Sequence, residues 1–199
     1  MLVLIGVVTL ILLEWLFGYQ TLLVFTTGVI YGKFYWDGSE CSTVRRWDSF
    51  QDWMGNFIQF TKNYNLVDYR VIHHDDVHHQ LGSHLNGAKG AIFAASPHST
   101  ISIGSFYHTM SEPKWRRGVT LCVHHLDFAI PFLREFSLWC GMMDVSRKNI
   151  EQSLDQEKSV YVVIGGTREM MSSSSDTIHK GLLQIAFEKN RLVFPVLHR

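Results

Sequence analysis

The stretch GAIFAASPHSTISIGSFYHTM, residues 90–110, carries the pattern on which the interpretation of the fold rests. Its apolar run at 91–95 contains β-branched and aromatic side chains, which is typical of a buried strand. Pro97 ends the run, because proline lacks the N–H that a sheet ladder requires. Two hydroxyl side chains that can cap a helix follow, and then an amphipathic segment continues to Met110. The stretch therefore predicts a strand–turn–helix unit.

His98 lies in the turn of this unit, directly after the strand. Open α/β sheets bind their ligands at the carboxyl ends of strands. A histidine at such a place, beside the free N–H groups of a helix start, is a candidate general base. The alternative is a turn histidine without a chemical role.

Further strands and helices alternate along the chain. Continuous apolar runs at 118–123, 160–164 and 192–197 predict strands. Between and before them, periodic segments at 47–64, 128–139, 144–158 and 176–190 predict helices. This alternation predicts an α/β fold with a mostly parallel sheet and flanking helices.

Local signals set the expected helix ends and faces. Pro131 is expected in the first turn of helix 128–139, with Gly141 beyond its end. Ser146 is expected to cap the helix that starts near Asp144. The inward face of helix 176–190 is predicted to comprise Ile178, Leu182, Leu183, Ile185, Ala186 and Phe187.

Composition bounds the possible functions. The 199 residues correspond to about one domain, and the zero formal net charge gives no global attraction to nucleic acid. The three cysteines, Cys41, Cys122 and Cys140, show no paired spacing. They therefore predict neither a disulfide framework nor a zinc knuckle, and fit a reducing compartment.

Residues 1–30 carry a single charge, Glu14. One helix of this length would measure about 45 Å, against a bilayer core of about 30 Å. Glu14 divides it into 1–13 and 15–30, which predicts a tilted span or a hairpin within one leaflet. A signal peptide is disfavoured, because a basic start and a small-residue cleavage site are missing. An aromatic belt at 31–36 follows.

Basic residues after this belt, including Arg45 and Arg46, predict by the positive-inside rule that the downstream domain faces the cytosol. The expected organisation is a membrane-embedded segment at 1–36, a partly helical connector at 37–87 and an α/β core at 88–199.

The connector contains HHDDVHHQLGSH, residues 73–84. His74, His78 and His79 have the spacing of a histidine box of membrane di-iron enzymes. A di-iron site needs several such boxes on separate helices, and the other histidine pair, His124–His125, lies in a strand-like run. The alternative is a solvated connector, and no metal site is predicted.

Four blocks of the chain resemble the diacylglycerol acyltransferase type-2 family, which includes monoacylglycerol and wax-alcohol acyltransferases. They are SPHS (96–99), IPFLREFSLWCGMMDVSRKNI (130–150), VYVVIGGTREMM (160–171) and HKGLLQIAFEKNRLVFPVL (179–197). Their order and spacing are those of the family. The resemblance implies a glycerolipid acyltransferase-like fold at the endoplasmic-reticulum membrane, with the catalytic domain facing the cytosol.

The implied reaction moves a fatty acyl group from acyl-coenzyme A to the hydroxyl of a neutral lipid, first of all diacylglycerol. Acyl-coenzyme A is a co-substrate, no cofactor is implied, and the resemblance leaves room for a homo-oligomer. His98 aligns with the catalytic histidine and Glu169 with the acidic residue of the Gly-Gly-x-x-Glu block. Glu169 would orient the imidazole, as an aspartate does in a hydrolase triad.

Further residues are assigned by the same resemblance. Backbone N–H groups near Ser99 or Gly165 and Gly166 would stabilise the oxyanion. Arg147 or Arg168 would contact the phosphates of coenzyme A. Arg134 and Glu135 also match the family pattern, and for the arginines a structural salt bridge is the alternative.

The chain also departs from the family pattern. Ser96 replaces the first histidine of the family's His-Pro-His-Gly motif and Ser99 its glycine, while His179, Gln184 and Asn190 replace other usual residues. The family's long C-terminal portion is absent, so we expect a fragment. The alternative functions are a catalytically impaired or truncated member that binds lipid or a partner, and a di-iron lipid oxidase.

Overall fold

The computed structural model describes residues 2–64, 90–96, 103–164 and 180–197. The chain divides into two compact units, Met1–Ser39 and Glu40–Arg199.

The first unit is a pair of helices that contact each other, α1 (Leu2–Phe17) and α2 (Tyr19–Tyr35). The helices are separated at Gly18, whose φ of 72° is readily adopted only by glycine. The predicted division at Glu14 was wrong, because α1 continues through it: a single carboxylate does not interrupt helical backbone, whereas a left-handed residue does. Among the described residues, no helix combines the length and the apolar character needed to cross a bilayer.

The second unit contains the sheet and the remaining helices. After a 3-10 turn (Ser39–Cys41), the helices are α3 (Asp48–Asn63), α4 (Ile103–Ser111), α5 (Pro113–Gly118), α6 (His125–Ala129), α7 (Leu133–Trp139), α8 (Arg147–Asp155) and α9 (Lys180–Glu188). The strands are β1 (Ile92–Ser96), β2 (Val119–Val123), β3 (Met143–Asp144), β4 (Ser159–Val163) and β5 (Val193–Leu197).

The five described strands form one sheet in the order β3-β2-β4-β1-β5, and every pair is parallel. The predicted α/β fold with flanking helices is thereby confirmed. All four predicted strands are present. β3 was not predicted, because two residues are too short to give a periodic signal.

Helices cover both faces of the sheet. On one face, Phe93 of β1 and Tyr161 of β4 belong to the same buried cluster as Met54 and Ile58 of α3. On the other face, Ile92 packs in a second cluster that includes side chains of α8 and α9. The alternation of β1 side chains between the two clusters is the period-2 pattern of a strand that is buried on both faces.

Three helices end in the same hydrogen-bonded motif before a strand begins. The residue beyond the C-cap has positive φ in each: Gly141 after α7, Glu157 after α8 and Asn190 after α9. After α8, the N–H of Glu157 donates to Leu154 O at 3.0 Å and that of Lys158 to Ser153 O at 3.0 Å. This is a Schellman motif, which satisfies the last helical carbonyl groups and reverses the chain towards the sheet.

The predicted helix 128–139 is two helices, and this prediction was wrong in one respect. Pro131 lies in the break between α6 and α7, because a residue before proline is pushed out of the helical region. Ile130 accordingly has extended backbone, with φ −95° and ψ 118°. The strand-like interpretation of His124–His125 was also wrong: β2 ends at Val123, and the Nδ1 of His124 caps α6 by accepting from the N–H of Leu126 at 3.3 Å.

Two further expectations are corrected. The helix predicted to start near Asp144 begins at Arg147. The side chain of its N-cap residue, Ser146, makes no capping hydrogen bond. Instead, the backbone N–H of Ser146 donates to the Asp144 carboxylate at 3.2 Å. On α9, Leu182 is buried as predicted, whereas Phe187 is 89% exposed. Leu183 is exposed as well, while Ile185 and Ala186 are buried. Ile178 lies outside the described residues.

Candidate active site at the carboxyl edge of the sheet

Strands β1 and β4 end side by side in the middle of the sheet. Ala95 is paired with Val163, and the N–H of Ile164 donates to the carbonyl of Ala95 at 2.8 Å. From β1 the chain goes to β2 through α4 and α5, whose Met110 and Trp115 pack on one face. From β4 it goes to β5 through α9, whose side chains pack on the other face.

Two neighbouring parallel strands whose connections leave to opposite faces define a switch point of the topology. At a switch point the connections diverge and open a crevice at the carboxyl edge, which is where α/β sheets bind their ligands. The fold therefore places the candidate active site between the ends of β1 and β4.

Most of the predicted site residues belong to the two segments that follow these strand ends. His98 and Ser99 follow β1, and Gly165, Gly166, Arg168 and Glu169 follow β4; all six lie outside the described residues. In the sequence, only Pro97 separates His98 from β1, and Gly165 comes directly after Ile164. The roles of these six residues stay predictions. The strands that precede them, β1 and β4, are adjacent in the sheet.

Arg147 is the predicted site residue that the structure describes. It is the first residue of α8, and its guanidinium donates to Glu151 and to Glu188 of α9, both at 2.6 Å. The hydrogen bond to Glu151 and the charge of Glu188 raise the pKa of Arg147 above its ordinary value. The side chain therefore joins α8 to α9, and a phosphate would have to compete with both carboxylates.

Arg134 has a structural environment. Its side chain is 1% exposed and forms ion pairs with Glu40 and Glu135, both at 3.1 Å. The guanidinium of Arg45 forms an ion pair with the same Glu135 carboxylate at 2.6 Å and so completes the network. The network ties the segment before α3 to α7, which supports the structural interpretation of Arg134 and Glu135.

Two histidines that sequence reasoning did not place at the site lie at the same edge of the sheet. His124 and His125 follow the end of β2, the neighbour of β4, and both are exposed. Their rings are 4.1 Å apart. The signal that could have found them is the end of the apolar run at Val123, which makes the pair the first polar residues after a strand.

A buried polar pair underlies the sheet. The Nδ1 of His108 on α4 lies 3.2 Å from the hydroxyl of Tyr161 on β4. His108 is 5% exposed and its ring also packs on Trp115, with centroids 4.3 Å apart. Burial raises the pKa of Tyr161, so the phenol is neutral at physiological pH and fixes α4 against β4.

The described residues contain no group of three or more side chains suited to a metal ion. The histidine-rich stretch at 73–84 lies outside those residues. Two thiols are inert: burial raises the pKa of both Cys122 and Cys140 to about 12, and the charge of Asp144 adds to the effect on Cys122.

Comparison with known proteins gives a consistent result. A sequence model of a family described as diacylglycerol acyltransferase matches residues 16–196. Diacylglycerol O-acyltransferase 2 of Dictyostelium discoideum is 33% identical over 119 residues, which is 56% of this chain and 34% of that protein.

Two fungal proteins are also similar. Diacylglycerol O-acyltransferase 1 of Eremothecium gossypii is 32% identical over 109 residues, 49% of this chain and 24% of that protein. Diacylglycerol O-acyltransferase 1 of Saccharomyces cerevisiae is 28% identical over 113 residues, 51% of this chain and 27% of that protein. The chain thus spans about a quarter to a third of the length of these relatives. No solved structure matches the chain significantly.

Proposed function

Because the chain belongs to the diacylglycerol acyltransferase family, we propose that it transfers a fatty acyl group from acyl-coenzyme A to the hydroxyl of diacylglycerol. The observation that carries this proposal is the pairing of β1 and β4 up to Ala95 and Ile164. It supports a site in which the segment with His98 and the segment with Glu169 start from adjacent strand ends.

His98 acts as the general base. An alcohol has a high pKa and attacks a thioester efficiently only when its proton is removed as the bond forms. His98 takes the proton of the acceptor hydroxyl, and the oxygen bonds to the thioester carbon. When the tetrahedral intermediate collapses, the C–S bond breaks and the imidazolium returns the proton to the departing thiolate. The products are triacylglycerol and free coenzyme A.

Glu169 acts through His98. Its carboxylate holds the imidazole in the tautomer that can accept the proton and stabilises the imidazolium that forms. The oxyanion of the intermediate is stabilised by backbone N–H groups near Ser99 or near Gly165 and Gly166. No covalent acyl-enzyme is needed.

Coenzyme A is held by arginine. Arg168, on the segment after β4, is the leading candidate for a phosphate contact. Arg147 is the second, and it must first release Glu151 and Glu188. A guanidinium binds phosphate through paired, charge-assisted hydrogen bonds.

The helix pair α1–α2 anchors the chain to the endoplasmic-reticulum membrane, with the α/β unit on the cytosolic side. Large apolar side chains are exposed around both helices, among them Ile5, Val8, Ile11, Leu12 and Trp15 of α1 and Val24, Phe25 and Val29 of α2. Helices that are apolar all round belong in an apolar medium. Lengths of about 24–26 Å are short of the bilayer core of about 30 Å. A hairpin within one leaflet fits these lengths.

Acyl transfer in microsomes that express the full chain tests the proposal. Labelled acyl-coenzyme A is supplied with diacylglycerol, monoacylglycerol or a long-chain alcohol, and the lipid products are separated. We expect triacylglycerol from the wild type and a loss of about 10²- to 10⁴-fold in His98→Ala. Lys158→Ala, which changes an exposed residue before β4 at the opposite edge of the sheet, is the control and should keep the activity.

Two results would overturn the proposal in different ways. A well-expressed, membrane-bound wild type that makes no product with any acceptor would favour a binding role without catalysis. Product that survives His98→Ala would mean that another group is the base.

A further inference from the structure

Helix α3 has an exposed face made of four aromatic side chains. Trp53, Phe57, Phe60 and Tyr64 recur at intervals of four, three and four residues, so they line one side of the helix. They are 58%, 49%, 49% and 67% exposed. We call this set the α3 aromatic face.

The packing of α3 explains why the described part of the chain leaves this face exposed. Met54 and Ile58 point into the core beneath the sheet, and they are 8% and 3% exposed. The aromatic face lies beside this buried stripe rather than within it. Polar side chains, among them Gln59 and Asn63, fill the third side and hydrogen-bond to each other at 3.0 Å. The helix therefore has a core side, a polar side and an aromatic side.

The rings of the aromatic face form an ordered surface. Trp53 and Phe57 stack with centroids 6.1 Å apart, and Phe60 and Tyr64 lie 4.5 Å apart. Four such rings, each about half exposed, leave on the order of 400 Å² of ring surface uncovered. An apolar patch of this size is comparable to the largest patch on a typical soluble monomer, and such patches are often functional.

The charges around α3 are compatible with an anionic lipid surface. The two acidic residues of the helix are neutralised: Asp48 pairs with Arg46 at 3.0 Å, and Asp52 pairs with Arg116 at 3.1 Å and Arg117 at 3.0 Å. The carboxylates of the helix are therefore compensated, and the guanidinium of Arg117, which is 58% exposed, suits an anionic lipid surface.

We propose that the α3 aromatic face docks on a bilayer, with its rings at the boundary between the headgroups and the acyl chains. Tryptophan and tyrosine favour this boundary, because their rings are apolar and their N–H and O–H groups stay hydrated. A helix with an apolar side and a polar side lies flat in the interface. Docking brings the α/β unit onto the surface in which its lipid acceptor is dissolved. The inference rests on the proposed function only for the identity of that acceptor.

The test measures the depth of single side chains and needs no activity. In the full chain with Cys41→Ser, an environment-sensitive fluorophore is attached to Phe57→Cys, or to Gln59→Cys as the matched control on the polar side. The protein is reconstituted into vesicles of phosphatidylcholine and phosphatidylserine, with or without a quencher carried on the lipid chains. We expect the emission at 57 to shift to shorter wavelength and to be quenched by the lipid-borne quencher, while the label at 59 is unchanged.

Other outcomes would overturn the proposal. Labels that are equally water-exposed at 57 and 59 would show that the face does not touch lipid. A label at 57 that is protected without lipid quenching would assign the face to a protein partner, and energy transfer between labelled copies would identify that partner as a second chain. An inactive His98→Ala variant should give the same depths as the wild type, so failure of the proposed function and failure of the docking are distinguishable.

Discussion

The N–H of Ile164 donates to the carbonyl of Ala95 at 2.8 Å, and among the described residues this is the last link between β4 and β1 at the carboxyl edge. This bond fixes the relative register of the two strand ends that precede the segments with His98 and Glu169. General acid–base chemistry depends on geometry at the level of a hydrogen bond, because a displacement of about 1 Å can cost 10²-fold in rate. Loss of this hydrogen bond is therefore expected to affect the rate of acyl transfer more than the stability of the fold.

Removing the donor tests this expectation. Ile164→Pro deletes the N–H, leaves the Ala95 carbonyl without it and removes the Ile164 side chain from the second core cluster, at a cost of about 3 kcal/mol in the free energy of unfolding. A domain with about 5–15 kcal/mol of stability survives this loss. We expect acyl transfer to fall at least about tenfold in protein that is still folded by circular dichroism, whereas Ile164→Val should retain activity. Full activity in the proline variant would show that the alignment of the strand ends is not needed.

The sequence predicted the central strands because their signal is local. A continuous apolar run such as 160–164, bounded by polar or glycine residues, has few alternatives, and the switch point follows from which strands are neighbours. That order was not predictable, because it depends on contacts between β1 and β4, which are about 68 residues apart in sequence. A site at the carboxyl edge of the sheet was thus expected from the sequence. The pairing of β1 with β4 was found only in the structure.

The predictions from sequence that were wrong have identifiable physical causes. The periodicity of 128–139 masked the break at Pro131, because the apolar spacing continues through α6 and α7. Phe187 of α9 was expected inward on periodicity, yet it is exposed because Leu182, Ile185 and Ala186 already occupy the width of the stripe that faces the sheet. The α3 aromatic face was not predicted for the same reason: an apolar side chain is expected to be buried, and only the structure shows which ones are exposed.

Arg168 and Arg147 are expected to contribute unequally to the binding of coenzyme A. Arg168→Ala should raise the KM for acyl-coenzyme A about tenfold, the loss of a hydrogen bond to a charged group of about 1.5 kcal/mol. Arg147→Ala should raise it less, because Glu151 and Glu188 already hold this guanidinium. Steady-state kinetics at saturating diacylglycerol measure both.

Glu188→Gln is the control for this pair of arginines. It loosens Arg147 without removing its charge, so a lower KM in this variant would show that Arg147 can reach a phosphate. An Arg147→Ala effect as large as that of Arg168→Ala would contradict the expected order.

Arg134 is expected to be essential for stability rather than for catalysis. Removing this buried guanidinium in Arg134→Ala takes a partner from Glu40 and leaves Glu135 with Arg45, and it should cost about 3 kcal/mol. Arg117→Ala is the matched control, because Arg117 is 58% exposed and its pair with Asp52 should be worth less than about 1 kcal/mol. Denaturation midpoints at constant slope measure both values. Equal midpoints for the two variants would refute a structural role for the Glu40–Arg134–Glu135 network.

The Schellman motif after α8 predicts a stabilising substitution. Glu157 has φ 60°, which strains an L-residue and suits glycine. Glu157→Gly should therefore raise the free energy of unfolding by about 0.5–1 kcal/mol, the relief of strain less the added entropy of the unfolded chain. Glu157→Ala keeps the strain and serves as the control.

Gly141, at the same position after α7, should respond in the opposite direction. A Cβ there would lie 2.9 Å from the Gln51 Nε2 and 3.2 Å from the Arg46 Cδ, and φ is 72°. Gly141→Ala is expected to cost at least about 1 kcal/mol. A stabilised Gly141→Ala, or a Glu157→Gly no better than Glu157→Ala, would mean that the turn geometry does not limit stability.

The cysteines predict the alkaline behaviour of the fold. Burial raises the pKa of Cys122 and Cys140 from 9.0 to about 12, whereas in the unfolded chain both ionise near 9.0. Below pH 9 neither state is ionised, so the contribution of these thiols to stability is fully present there. As pH rises from 9 towards 12 only the unfolded state loses its protons, and this contribution is progressively lost. Stability should therefore decline over this range, and less steeply in a Cys122→Ala, Cys140→Ala variant than in the wild type.

Alkylation gives an independent measurement of the same burial. At pH 8 the exposed Cys41 should react alone in the native protein, and Cys122 and Cys140 only after denaturation. Mass spectrometry of the native protein is then expected to find one modified cysteine, and none in Cys41→Ser. Rapid modification of Cys122 under native conditions would mean that β2 opens to solvent, because its thiol lies in the core cluster between the sheet and α8.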